Sequence, residues 1–402
     1  MIGDISFRDY KKNDIHGLAL YPATMVAPVQ NIILQELLKT EQISSVFDPF
    51  HGSGTALYEA LELSPDIKLI GCDINPLAHL ITLVKLQGIT KNITKDILEL
   101  KGNLNTVEAD DFSFPNMNKW FRPDITESIK KVRQSIILIK SKKNRLYFWS
   151  ILSTFIRKYS NTRSSTYKLH SKDTEAIERM KNTLINDFLS SVEDNVSKFT
   201  ISSSNIKLYK NDVLNQLTKF KEKTVDLSIS SPPYGDNATT VPYGQFSSLA
   251  LHWIDKKDLV FDGWELDNYS SIDRRSLGGN YKGLIDNEKG NLLIKPYLEK
   301  ISTSKQKKVI CFFKDYFIFL DELCRVTNKY IVLTLGNRTV DGININLTSI
   351  TQEYLEYKNF KNIHKSNRDI PNKRIPRLTS KVNNKSVLSM NKEYVIIHRR
   401  IN

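Results

Sequence analysis

Ser45-Val46-Phe47-Asp48 runs into Pro49-Phe50-His51-Gly52-Ser53-Gly54-Thr55 and then into Ala56-Leu57-Tyr58-Glu59-Ala60-Leu61. A short apolar run with an acidic end, a proline and two glycines, and a helix-like apolar stretch predict strand, tight turn and helix in that order. The glycines at 52 and 54 carry no Cβ, so the backbone can turn sharply there and come close to a ligand. Two phosphate-binding patterns fail on single residues: a P-loop needs Lys where Thr55 stands, and a dinucleotide fingerprint needs a third glycine where Leu57 stands. What remains is a glycine turn shaped for a ligand that needs close backbone approach without a pyrophosphate.

Working outward, Ile67-Lys68-Leu69-Ile70-Gly71-Cys72-Asp73 is a second short apolar strand with an acidic end, and Ile74-Asn75-Pro76 opens a helix. An acidic residue at the tip of the second strand is where an α/β nucleotide-type site holds two ribose hydroxyls. Helix capping explains the same residues, with Asn75 as N-cap and Pro76 in the first helical position. Both accounts hold together, because Asp73 and Asn75 do different jobs.

Far downstream, Thr224 to Ser230 has the look of a buried strand and ends in Ser231-Pro232-Pro233-Tyr234. Two consecutive prolines fix two φ angles and remove two backbone donors, so the turn is stiff. Alone it would be an ordinary proline-stiffened loop.

Taken together, Asp-Pro-Phe-His-Gly-Ser-Gly-Thr at 48 to 55 and Ser-Pro-Pro-Tyr at 231 to 234 resemble the S-adenosylmethionine-dependent DNA amino-methyltransferases, which methylate exocyclic nitrogens of cytosine or adenine. The resemblance covers roughly residues 15 to 90 and 205 to 400. It implies that Asp48, Pro49, Phe50, Gly52, Ser53, Gly54 and Thr55 form the cofactor loop, joined by Asp73, Ile74 and Asn75. Tyr21, Pro22 and Thr24, in the stretch Tyr21 to Pro28, match the segment beside the methionine end of the cofactor, and Asp212 falls near its adenine ring. S-adenosylhomocysteine would be the product, and no metal is implied.

Ser231, Pro232, Pro233 and Tyr234 are then the catalytic turn. The Ser231 hydroxyl and the Pro232 carbonyl accept the two amino hydrogens, Pro233 keeps the turn rigid and Tyr234 stacks on the extruded base. In the family, Ser at the first position leans toward cytosine N4, with adenine N6 as the alternative. RNA guanine and protein glutamine methyltransferases, which use similar turns, are more distant alternatives.

Strand-like and helix-like stretches alternate along the rest of the chain, with a helix over 308 to 327, a strand over 329 to 335 and a closing strand over 391 to 398. This predicts a doubly wound α/β sheet, to which the resemblance adds a Rossmann-like, mostly parallel set of seven strands with the last one antiparallel. Three parts are expected: 1–94 with the cofactor loop, an inserted helical subdomain over 95–204, and 205–402 with the catalytic turn.

The chain of 402 residues carries a net charge of +14, and Lys119 to Lys181 holds 16 Lys and Arg against 5 Asp and Glu. Helical signals run through this insertion at Ile125 to Leu138, Leu146 to Ile156 and Thr174 to Leu189, and Trp120, Tyr147, Phe148, Trp149 and Phe155 supply a core or a stacking surface. For any single lysine a solvated helix face is the plainer account. For the cluster, double-stranded DNA is the expected partner, because a basic face gains from counterion release. Arg157, Lys158, Arg163 and Lys168 are candidate DNA contacts, with Arg374 and Arg377 from a second basic stretch between the last two strands. After the catalytic turn, the polar run from Gly235 through Trp253 and Trp264 to Tyr281 either closes over a flipped base or packs as an excursion on the domain.

Cys72, Cys311 and Cys324 are odd in number and widely spaced, which indicates neither a disulfide framework nor a zinc site. With no long apolar run and no signal-peptide plan at Met1-Ile2-Gly3-Asp4, a cytoplasmic protein without membrane attachment is expected. A separately encoded restriction endonuclease is a partner that the resemblance suggests.

Overall fold

The computed structural model describes residues 5–237, 240–280, 282–370 and 392–401. The first half of the core follows the order α1 (Ala27–Thr40), β1 (Ser45–Asp48), α2 (Thr55–Leu63), β2 (Lys68–Asp73) and α3 (Pro76–Gln87). Four longer helices come next: α4 (Ile93–Thr106), α5 (Pro123–Leu138), α6 (Lys142–Tyr159) and α7 (Leu184–Val196). The chain then returns through β3 (Ile206–Lys210), β4 (Val225–Ser230), α8 (Tyr243–Trp253), α9 (Thr303–Val326) and β5 (Thr327–Gly336). A small hairpin of β6 (Arg338–Val340) and β7 (Ile343–Ile345), then α10 (Leu347–Tyr357), β8 (Phe360–Asp369) and β9 (Lys392–Arg400), complete it.

Seven strands form one sheet in the order β3-β2-β1-β4-β5-β9-β8. The strands from β3 to β5 are parallel; β9 runs antiparallel to β5 and β8 antiparallel to β9. Successive strand side chains point to opposite faces. Val46, Leu69, Leu227 and Val332 accordingly enter one core with α2 and α3, while Phe47, Ile70, Ile331 and Leu333 enter another with α9 and α10. Burial on both faces explains why these strands read as nearly continuous apolar runs. The order reverses between β1 and β4, and such a switch point leaves a crevice beyond the carboxyl ends of the strands.

The helices α4 to α7 do not make a separate core. Ile129, Val132, Phe148, Trp149, Leu152 and Phe188 join the apolar cluster that covers the first face of the sheet. The aromatics Tyr147, Phe148 and Trp149 are fully buried, so they are core and not a stacking surface.

Three elements differ from their sequence expectation. The helix expected over 174 to 189 is two helices, Thr174–Glu178 and α7. The Asn182 side chain bonds to the Asp124 carbonyl and Ser128 Oγ and accepts from Leu184 N, a local alternative to the helical ladder. The helix expected from 308 begins earlier, at Thr303. Finally, β8 has a polar sequence with no apolar alternation and is an edge strand that, among the described residues, pairs only with β9. Lys361 and Lys365 sit on it, as charged residues commonly do on exposed edges.

Candidate active site

The glycine turn follows β1 because two positions adopt left-handed backbone: Gly52 has φ +50° and Gly54 has φ +75°. A Cβ on Gly54 would lie 2.7 Å from Thr82 Cγ2, so α3 packs directly under the loop. Thr82 Oγ1 donates to the Gly52 carbonyl at 2.9 Å, and the fully buried Lys85 ammonium donates to the Ser53 carbonyl at 2.8 Å. Burial lowers the pKa of Lys85 to about 7. At the tip of β2, Asp73 accepts from Gly52 N and from Asn75 N, both at 2.9 Å. Burial raises its pKa to about 6, against those backbone hydrogen bonds. Asn75 caps α3 by accepting from Leu77 N, and its amide donates to Ser247 Oγ and Tyr21 OH.

The catalytic-turn candidates leave the end of β4 beside this loop. Asp48 joins the two: its Oδ1 accepts from Ser230 Oγ at 2.6 Å and from Phe50 N at 3.1 Å. Its Oδ2 is buried with no hydrogen-bond partner among the described residues. Burial pushes the pKa of this carboxyl up to about 7, although Ser230 and the Phe50 amide oppose the shift. Ser231 Oγ lies 3.0 Å from Tyr234 OH. Gly235 is packed against Arg338, whose guanidinium pairs at 3.3 Å with the buried Asp236.

A cleft of about 800 Å³, counting space open to solvent, spans these parts. Tyr21, Pro22 and Thr24 line it from the N-terminal segment; Pro49, Phe50, Gly52, Ser53 and Thr55 from the loop; Asp73, Ile74 and Asn75 from β2; Asp212 after β3; and Ser231 and Pro233 from the catalytic turn. Four candidates, Asp48, Gly54, Pro232 and Tyr234, are not among its lining residues; Asp48 bonds to Ser230 behind the loop, and Gly54 packs on Thr82.

Several lining residues were not singled out from sequence. Asn237, Tyr243, Ile272, Ser276 and Leu277 come from the excursion after the catalytic turn, so that excursion walls the cleft as well as packing on the domain. Asp273 accepts from Gly244 N and Gln245 N and so caps the start of α8, which places Tyr243. Tyr243 stacks on Tyr21 with centroids 5.8 Å apart. The tandem of Pro242, Tyr243 and Gly244 was the available signal for a helix start next to the site.

The candidate DNA contacts separate. Arg157 is buried, stacked over Phe246 at 4.6 Å and bonded to the Thr166 carbonyl, so its role is to hold chain, not to reach phosphate. Lys158 is bonded to Asp187 at 2.5 Å. Arg163 and Lys168 are exposed. Arg374 and Arg377 lie outside the described residues.

The sheet order and the cleft at its switch point define a Rossmann-like, doubly wound α/β fold. Across its length the chain is similar to the type II methyltransferase M.MvaI of Kocuria varians, at 28% identity over 433 aligned residues that cover 96% of this chain and 91% of that protein. No family model matches the chain. The solved structure of the rRNA methyltransferase aviRa from Streptomyces viridochromogenes covers 96% of this chain and 94% of its own, at 11% identity and a TM-score of 0.30, too low a score to carry an argument. Among the described residues no helix is long and apolar enough to cross a membrane.

Proposed function

We propose that this protein transfers a methyl group from S-adenosylmethionine to cytosine N4 of a base flipped out of double-stranded DNA. The observation that carries the reading is that Ser231 and Pro233 share one cleft with the glycine loop and the acidic tips after β2 and β3. The relative that spans nearly the whole chain is a methyltransferase, and the basic surface suits a polyanionic substrate.

The residues fit the cofactor on two observations. The unpartnered, buried Asp48 Oδ2 lies at the tip of β1 where a cationic amino group would satisfy it. The Gly52–Gly54 backbone, held from behind by Thr82 and Lys85, leaves a cradle without Cβ atoms. Asp73 would hold the ribose hydroxyls and Asp212 the adenine end. When bound, S-adenosylmethionine supplies the electrophilic methyl on its sulfonium.

A base amino nitrogen is a weak nucleophile because its lone pair is delocalised into the ring. Ser231 Oγ and the Pro232 carbonyl counter this by accepting hydrogen bonds from the two amino hydrogens, which draws the nitrogen toward pyramidal geometry, and after methylation one of these hydrogens leaves as a proton to solvent. Tyr234 OH lies 3.0 Å from Ser231 Oγ; with the serine hydroxyl donating to it, the serine lone pairs are left for the base. Positioning in a water-poor cleft supplies most of the remaining acceleration. Extrusion of the base costs a few kcal/mol.

The test is incubation of the protein with S-adenosylmethionine and unmethylated plasmid, followed by digestion to nucleosides and mass spectrometry. N4-methylcytosine is the expected product. N6-methyladenine would keep the mechanism and overturn the base assignment. Methylated RNA or protein without methylated DNA would overturn the substrate class.

A further inference from the structure

Between α6 and α7 the insertion doubles back on itself. Thr162 bridges Ser171 in antiparallel register, Arg163 N donates to the His170 carbonyl at 2.8 Å, and Lys172 N donates to the Asn161 carbonyl at 2.7 Å. The tip of this hairpin is anchored to the wall of the cleft. Buried Arg157 holds the Thr166 carbonyl at 2.6 Å while its guanidinium lies over Phe246. Tyr167 meets the same Phe246 ring edge-on at 6.1 Å, and Phe246 in turn meets Tyr21, which lines the cleft. Leu169 N reaches Gln245 Oε1 on α8 at 3.4 Å. A hairpin fastened at these points stands beside the place where a flipped base would enter.

Its exposed arginine is unlike the other arginines of the insertion. Those are committed: Arg122 to Asp124, Arg133 to Asp110 and Asp255, Arg145 to Asp258, Arg157 to the Thr166 carbonyl and Arg179 to Glu175. The hairpin closes an acid-free run, since the sequence has no Asp or Glu from Ser128 to Lys172. Arg163 and Lys168 are exposed and form no ion pair among the described residues. Arg163 Nε donates to the Ser171 carbonyl at 3.0 Å, which fixes the side chain and leaves its two terminal nitrogens to face outward. A planar fork presented in this way matches the O6 and N7 acceptors of guanine in the major groove.

We propose that the tip Arg163–Lys168 reads the base pairs flanking the methylated base, with Arg163 on a base edge and Lys168 on a backbone phosphate. This rests on the DNA reading above. It assigns the choice of site to one short hairpin.

The test uses the full-length protein on a plasmid library with randomised sequence, with methylated sites read by sequencing. Arg163→Ala should reduce discrimination at one flanking position by roughly ten-fold or more, with binding of S-adenosylhomocysteine and the thermal unfolding midpoint unchanged. Arg163→Lys keeps the charge and loses the fork; it should relax the same position while keeping the salt dependence of binding. Lys168→Ala should weaken binding to all sequences alike and flatten its dependence on salt by about one unit of slope. A wild-type site profile in both Arg163 variants overturns the assignment while leaving the enzyme a DNA methyltransferase. So does a purely uniform loss in both, which would make the tip an electrostatic contact only. Wild-type protein that methylates no DNA overturns the functional reading and the hairpin assignment with it.

Discussion

The cleft and the insertion treat the same side chain in opposite ways. In the insertion, Arg122 holds the Asp124 carboxyl below the usual carboxylate range and Lys158 does the same for Asp187. In the cleft, burial pushes Asp48 and Asp73 upward, and also Asp212 after β3 and Asp273 beneath α8. No arginine or lysine pairs with Asp48 or Asp73 among the described residues; hydroxyl and amide donors serve them instead. A neutralised carboxylate stabilises the fold and has nothing left to offer. One kept buried without a cation keeps its charge uncompensated, as the unpartnered Asp48 Oδ2 does.

The comparison can be broken first on the supporting side. Trp149 is fully buried and its Nε1 donates to Asp258, which Arg145 holds. Trp149→Ala should cost about 3–5 kcal/mol of stability, seen as a large fall in denaturation midpoint with any loss of activity following the fraction unfolded. An unchanged midpoint would mean that the insertion's core is not continuous with that of the sheet.

On the binding side, Ser231→Ala should lower kcat by about 10²-fold and leave the affinity for S-adenosylhomocysteine within about two-fold. Equal losses of turnover and cofactor affinity would remove Ser231 from the chemistry. Gly54→Ala should cost about 1–3 kcal/mol from the forced left-handed backbone, with a further clash against Thr82. Calorimetry should show the cofactor affinity falling in step, and Thr82→Ala in the same chain should restore only the part due to the clash.

The smallest effect is the dependence on pH. A carboxyl whose native pKa is raised makes the ligand-free fold bind protons more tightly than the unfolded chain. The contribution of Asp48 and Asp73 to stability is therefore greatest in acid and is lost as pH rises from about 4 through about 6 and about 7. A ligand that needs them ionised gains over the same window. Affinity for S-adenosylhomocysteine should rise from about pH 5.5 to about pH 8, by at most about ten-fold per pH unit for each group, and Asp48→Asn should flatten the upper part of that rise. An affinity that falls with pH would mean that the cleft binds its ligand through protonated acids.

How much of this was legible in the sequence follows from what each part is made of. The turns after β1 and β4 announce themselves because glycine and proline change backbone freedom locally, and the acidic tip of β2 carries its own cap signal. Asp48, Gly54, Pro232 and Tyr234 do not line the cleft wall, since one-letter spacing does not say which side of a loop meets it. The cleft wall from 237 to 277 was hidden for a different reason: Tyr243, Ile272 and Leu277 look like packing residues, and only the tertiary placement of α8 by Asp273 brings the first of them to the site. Arg157 read as a surface cation because sequence does not show the Phe246 ring lying against it. The edge strand β8 went unread because it lacks apolar alternation.

Asp48 has one more consequence. It bonds through the same oxygen to Ser230, at the strand tip that leads into Ser231, and to Phe50 N in the backbone of the glycine loop, and Ser230 lies 182 positions from Asp48 in sequence. If the two halves of the cleft hold cofactor and DNA as proposed, a displacement of either tip would be passed to the other through this oxygen, and their occupancies would be linked. Reciprocity then requires that the factor by which S-adenosylhomocysteine tightens DNA equals the factor by which DNA tightens S-adenosylhomocysteine. The spent cofactor would in this way set how long the enzyme lingers on a site it has already modified.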